Sequence, residues 1–190
     1  MDPFSDFEQI TDYLRDQFTK AAHQKRHPWR LVTLATVADG VAQQRTVVLR
    51  RANWTERSLR FYTDARSAKM EAIRAGQLLS FLFYHPRHQV QVRLLAQPTL
   101  ADETTKRAIY NGLPLHATRD YRTQLAPGAE LKADNPTYVS DPAAGFANFT
   151  IVENTFTELE ILQLNRSGHR RARLNWSEDT AQWQSNWLVP

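Results

Sequence analysis

Between residues 31 and 100 the chain alternates short apolar, β-branched runs with tight polar breaks, and this rhythm limits the fold more than any other feature. LVTLATV (31–37) stops at Asp39-Gly40, a dipeptide suited to a two-residue hairpin because both positions tolerate positive φ. VAQQRTVVLRRA (41–52) follows, then the polar turn NWTERS, then LRFYTD (59–64). Three consecutive strands with short links imply an antiparallel meander. LLSFLFYH (78–85) and QVQVRLLAQPTL (89–100), joined at Pro86-Arg87, continue it. In the second of these, Val90, Val92 and Leu94 alternate with Gln91 and Arg93, the period of a half-buried strand. Four more runs close the sequence: FTIVEN (149–154), FTELEILQLN (156–165), RRARLNW (170–176) and AQWQSNWLVP (181–190). About nine strands predict a mainly β fold, an antiparallel barrel with peripheral helices, because closure leaves no open edge.

The remaining segments have helical period. Phe4, Phe7, Ile10, Leu14 and Phe18 form one apolar stripe over 4–22. RSAKMEAIRAG (66–76) reads as a short helix with Ser67 as N-cap and Gly76 as its stop. Helices are also expected over 102–110 and 116–125, and a long loop over 127–145, rich in Pro, Gly, Asp and Asn. The chain is expected to be one domain over 1–190, with an N-terminal helix in 1–25, a helical insertion in 101–126 and the loop in 127–145.

Composition excludes several chemistries. The 190 residues include no cysteine, so disulfides, thiolate zinc sites and a cysteine nucleophile are absent. The start, MDPFSDFEQ, is polar and acidic, unlike a secretory signal, and no apolar run approaches the roughly 18 residues of a membrane span. A cytoplasmic protein with no membrane partner is expected, and the Asn-x-Ser/Thr triplets at Asn148 and Asn165 read as chance matches. The net charge of +4 favours anionic partners in general. No nucleic-acid partner is expected, because the basic residues form no long run and no RNA-binding aromatic motif is present. The six histidines lack zinc spacing, so no metal site is expected, and no G-x-S-x-G elbow is present.

Two cationic groups remain. Arg45, Arg50, Thr63, Ser67 and Lys69 would make a phosphate cradle if the strands and the start of the following helix converge. Read from the residues alone, Ser67 is equally a helix cap and Lys69 a solvated first-turn residue. The odd spacing of Arg45 and Arg50 sends them to opposite faces of a regular strand unless a bulge intervenes. His169, Arg170, Arg171 and Arg173 open the penultimate strand and form either an anion site or a solvated cationic edge. The carboxylates show no distinctive pairing.

The ordered set TLATVADGVAQQRTVVLRR, LRFYTDARSAKMEAI and LLSFLFYHPRHQVQVR resembles the core of pyridoxamine 5′-phosphate oxidases and their flavin-binding relatives, and the closing NWLVP is similar to that family's ending. The resemblance implies an FMN-binding split β-barrel, a homodimer with FMN at the subunit interface. It implies that Arg45 and Lys69 meet the FMN phosphate. It adds flavin contacts from Thr46, Val47, Val48, Leu49, Arg50, Tyr62, Thr63, Ser67 and Gln89. His169-Arg170-Arg171 resembles the oxidase H-x-R, which implies Arg171 near the flavin ring and His169 at the substrate, the two candidate catalytic residues. The departures concern substrate. Arg50 stands where the oxidase has Lys, Leu113 where it has an Arg, Ile161 where it has a Trp, and Ser167 where it has another Arg. Ala68 also stands where many members carry Arg. The resemblance therefore implies an FMN-dependent oxidoreductase of unknown small-molecule substrate, not a pyridoxamine 5′-phosphate oxidase. The alternative is a non-catalytic module that binds or senses FMN, or another anionic cofactor such as heme or deazaflavin.

Overall fold

The computed structural model describes residues 4–132 and 134–190. Eight strands form one antiparallel sheet: β1 (Leu31–Ala38), β2 (Val41–Asn53), β3 (Ser58–Asp64), β4 (Leu79–His85), β5 (Val90–Leu100), β6 (Phe149–Gln163), β7 (Arg170–Ser177) and β8 (Gln182–Leu188). Their order is β3-β2-β1-β4-β5-β6-β7-β8, and an extra β3–β6 pairing closes the first six into a barrel. Asp39 and Gly40 both take positive φ, 51° and 74°, and make the tight β1–β2 turn.

β6 explains the split. Its first half, Phe149 to Thr155, pairs with β3, and its last residues, Glu158 to Gln163, pair with β7 on the same edge. β5 lines the other edge from Val152 to Gln163. The sequence pattern suggested two strands broken at Asn154-Thr155; the chain instead runs through as one. Buried Asn154 bonds sideways through Nδ2, which donates to the carbonyls of Leu59 and Val152, while its Oδ1 has no hydrogen-bond partner among the described residues. A register shift opposite Leu95/Ala96 leaves Thr157 as the extra residue, a bulge where the partner changes.

The core is aromatic. Phe61, Phe81, Phe83, Phe156 and Trp29 fill the barrel with Leu34, Leu49 and Leu94. Helix α1 (Phe7–His23) caps it with Ile10, Leu14 and Phe18; Asp6 accepts from the Gln9 amide and starts the helix. Phe18 packs edge-on to Phe83 at 5.4 Å. A smaller cluster of Tyr110, Phe149 and Ile151, with Tyr62 and Tyr121 against it, docks the 101–148 segment. That segment holds α3 (Glu103–Asn111), but the expected helix over 116–125 is shorter: one turn at Leu115–Thr118, then a 3₁₀ turn at Arg119–Arg122. Pairing ends it, since the Gln124 amide donates to the Thr137 carbonyl and the Val139 amide to Arg122. Within the expected 127–145 loop, Pro142–Ala144 adds a further 3₁₀ turn, and Gly145 sits where a Cβ would strike the Tyr110 hydroxyl.

Three histidines fasten α1 to the β4–β5 turn. The His85 and His88 rings stack at 3.7 Å and 5°, and the His27 ring lies 5.8 Å from His85. Tyr13 Oη and His88 Nδ1 share a hydrogen bond, as do Gln17 Oε1 and His27 Nε2. Burial, then His88 and His27, lowers the His85 pKa from 6.5 to about 4. A histidine with a depressed folded pKa binds its proton more readily when unfolded, so its contribution is intact above about pH 6.5 and is lost as pH falls toward 4. The urea midpoint of the wild type is expected to drop between pH 7 and 4. His85→Gln should lose less over the same window; equal slopes would reject the coupling.

Candidate functional site

Helix α2 (Lys69–Arg74) follows β3 through a turn in which the Ser67 amide donates to the Asp64 carbonyl. This turn changes the role expected for Ser67. The residue before the helix is Ala68, with no side-chain cap, and the Ser67 hydroxyl donates to the Asp64 carbonyl at 2.7 Å. α2 has six residues, so the donors here come from side chains and not from a long helix end. Gly76, at φ 68°, ends the helix as expected.

Lys69 Nζ donates to Thr63 Oγ1 and to Ser67 Oγ, both at 2.9 Å. Thr63 and Ser67 are buried. Arg45, on the neighbouring barrel wall, donates to Thr36 Oγ1 at 2.6 Å and to the Gln43 carbonyl at 2.7 Å. Burial, and next the charge of Arg45, lowers the Lys69 pKa; burial also lowers that of Arg45. Asp64 pulls Lys69 the other way, but its carboxylate is engaged by Arg66 through both oxygens. Among the described residues, neither Arg45 nor Lys69 has a carboxylate partner. Beside Arg45 opens a cavity of about 430 Å³, lined also by Thr36, Asp39, Gln43, Ala68 and Glu71; Lys69, Thr63 and Ser67 lie outside its lining. A lysine held on two hydroxyls, close enough to Arg45 to feel its charge, is an arrangement that suits a phosphate group.

The other expected residues fall elsewhere. Leu49 pairs with Phe61 and Arg51 with Arg60, so Arg50 is the bulged residue. The bulge lets Arg50 lie over the Tyr62 ring, 5.2 Å from its centroid, beside Tyr121. Tyr121 is half-buried, and its desolvation pushes its pKa up to about 12. Val47 and Leu49 are buried in the core; Thr46 is exposed and Val48 half-buried. Tyr62 packs edge-on to Phe149, on the opposite face from Thr63.

Gln89 takes φ 54° in the β4–β5 turn, and its carbonyl accepts from the Leu164 amide. His169 is exposed, its Nδ1 accepting from the Asn165 amide at 3.2 Å. Arg171 bonds Glu160. Thr63 faces Thr150 and Arg171 faces Leu162, so the two cationic groups sit toward opposite ends of β6, about 40 Å along the strand at about 3.3 Å per residue. Three participants had no clear signal in the sequence. Thr36 supports Arg45 only through the β1–β2 register. Glu160 gathers Arg93, Arg171 and Arg173 from flanking strands. Arg66 joins buried Asp64 to the Thr123 carbonyl and hydroxyl, tying the 101–148 segment to the cradle turn.

An antiparallel split barrel with a cationic, hydroxyl-lined cradle between β3 and α2 defines the class. Residues 11–101 match the family model described as pyridoxamine 5′-phosphate oxidase, FMN-binding domain. A pyridoxamine 5′-phosphate oxidase-related, FMN-binding protein from Nostoc punctiforme has the same fold, with a TM-score of 0.70 and 22% identity over 100% of this chain and 99% of that one. PhzG from Burkholderia lata, solved with tetrahydrophenazine-1-carboxylic acid, gives a TM-score of 0.70 and 21% identity over 100% and 95%. No curated protein matches the sequence. Over residues 11–101 the chain is similar to the pyridoxamine 5′-phosphate oxidase FMN-binding domain, and it shares the split-barrel fold of these solved structures.

Arg66→Ala leaves the Asp64 carboxylate buried without its ion pair. It is expected to cost about 3 kcal/mol, since breaking a buried pair leaves an uncompensated charge. Thermal unfolding measures the loss, and limited proteolysis should show the 119–124 turn opening first.

Proposed function

We propose that this protein is an FMN-binding flavoprotein, an FMN-dependent oxidoreductase acting on a small molecule other than a pyridoxal-type phosphate. The observation that carries the reading is Lys69, held on the Thr63 and Ser67 hydroxyls within reach of the Arg45 charge, with neither cation ion-paired to a carboxylate among the described residues. Such a cradle suits the FMN phosphate: Lys69 and Arg45 supply charge, the Thr63 hydroxyl can donate, and the Ser67 oxygen holds Lys69 in place. Bound FMN would supply hydride and electron transfer, and the protein's part is to bind, orient and tune it.

One protomer carries half of such a site. Lys69 stands near the start of β6, while Gln89 and Arg171 stand near its end. A second copy brings the missing half. The outer face of β4 and β5 suits that copy, since Leu82, Tyr84 and Leu95 are exposed beside Arg93. FMN therefore sits between two subunits of a homodimer, with His169 and Arg171 of one facing the cradle of the other. Arg50, over Tyr62 on the bulge, faces the substrate side and selects an anionic group.

Purified protein is expected to be yellow, absorbing at about 450 nm as flavins do. Lys69→Glu should abolish retention while leaving the fold intact by circular dichroism. Colourless protein that takes up no added FMN would overturn the reading. Leu82→Asp is expected to give monomers in sedimentation and to release FMN together with the dimer. Photoreduction followed by reoxidation with candidate acceptors separates catalysis from mere binding; failure with every acceptor favours a binding module.

A further inference from the structure

Glu160 lies on β6 with its side chain 6% exposed, and three arginines from two flanking strands converge on it. Arg171 donates from Nε at 3.1 Å and from Nη2 at 2.8 Å, both to Oε1. Arg93 Nη2, from β5, donates to the same oxygen at 2.8 Å. Arg173 Nη2 lies 3.5 Å from the other oxygen.

We propose that Glu160 is a positioning residue for Arg171, clamping its guanidinium in the orientation from which it meets the flavin ring across the dimer. This rests on the FMN reading above. Two donors of one guanidinium on a single acceptor fix the plane of the group, and Nη1 is left without a partner among the described residues. Arg93 and Arg173 hold Glu160 in turn, so the clamp itself is braced from both neighbouring strands. An arginine ordered in advance loses less side-chain entropy when it meets a ligand, and so binds it more tightly.

The charge balance supports the same role. A buried carboxylate is costly unless paired. Burial pushes the Glu160 pKa up, but the hydrogen bonds and charges of Arg171, Arg93 and Arg173 outweigh it and hold the group below the usual range. Glu160 thus stays ionised, yet one carboxylate cannot neutralise three guanidiniums. Even with Glu158, which lines a cavity of about 250 Å³ with Arg93 and Glu160, the three guanidiniums exceed the two carboxylates of the cluster by one. A purely structural pairing needs one arginine; the surplus points to an anionic visitor. Reduction adds negative charge to a flavin ring, so a fixed Arg171 favours the reduced form.

The test compares wild type, Glu160→Gln, Arg171→Ala and the double variant, each loaded with FMN. Glu160→Gln keeps the volume and one acceptor but loses the charge. It is expected to weaken FMN binding several-fold and the reduced form about tenfold more than the oxidised, lowering the two-electron potential by about 30 mV. In the Arg171→Ala background the same change should alter neither quantity. Arg171→Lys, which keeps the charge but lacks the two-donor grip, should lower the potential like Glu160→Gln and serves if that variant folds poorly. Unchanged affinity and potential overturn the proposal. So does an equal shift without Arg171, or a rise in potential, which would make Glu160 a bare negative charge. Wild type that binds no FMN defeats the FMN reading itself; wild type that binds FMN while the variants fail these expectations defeats this proposal alone.

Discussion

The β3–β6 pairing is the contact on which the rest of the architecture depends. β3 is the edge of the meander, and without β6 it would expose a row of unpaired backbone groups. Seven residue pairs, from Ser58↔Thr155 to Asp64↔Phe149, close the barrel there. The same pairing puts the end of β3, with Thr63 and Asp64, directly above the start of β6. The turn into α2 and the 101–148 segment then meet at one corner, joined by Arg66.

Charge is distributed unevenly around that frame. At the α2 corner the Asp64 carboxylate is taken by Arg66, so it only partly offsets the repulsion between Lys69 and Arg45. At the far end of β6, Glu160 binds Arg171 and still leaves cations in excess. One end thus resembles a receptor for a phosphate, and the other a tuned wall for something flat and anionic. β6 separates them within a protomer, which is why the proposed FMN site calls for a second copy.

The parts legible in the sequence were those set by local pattern. Alternation placed β1 to β5 within a residue or two, and Asp39-Gly40 gave the first hairpin away because both residues accept positive φ. What misled was polarity inside a strand: Asn154 and Thr155 look like a turn until Asn154 finds carbonyls on both sides. Ser67 has the composition of a cap, yet the turn at Asp64 claims its hydroxyl first. Glu160 was invisible because its three partners come from two other strands, and a pairing register is not written in any one of them.

By itself the sequence determined which segments are strands, where the tight turns fall, and that cationic and hydroxyl side chains suited to a phosphate are present. These depend on residues near one another in the chain, whose φ preferences and side-chain period act locally. Tertiary structure decided that Arg50 is a bulge, that β6 serves three neighbours, that Arg66 screens Asp64 from Lys69, and that Glu160 holds Arg171. Each of these is a matter of register or of a long-range charge pair, and both arise only when the barrel closes.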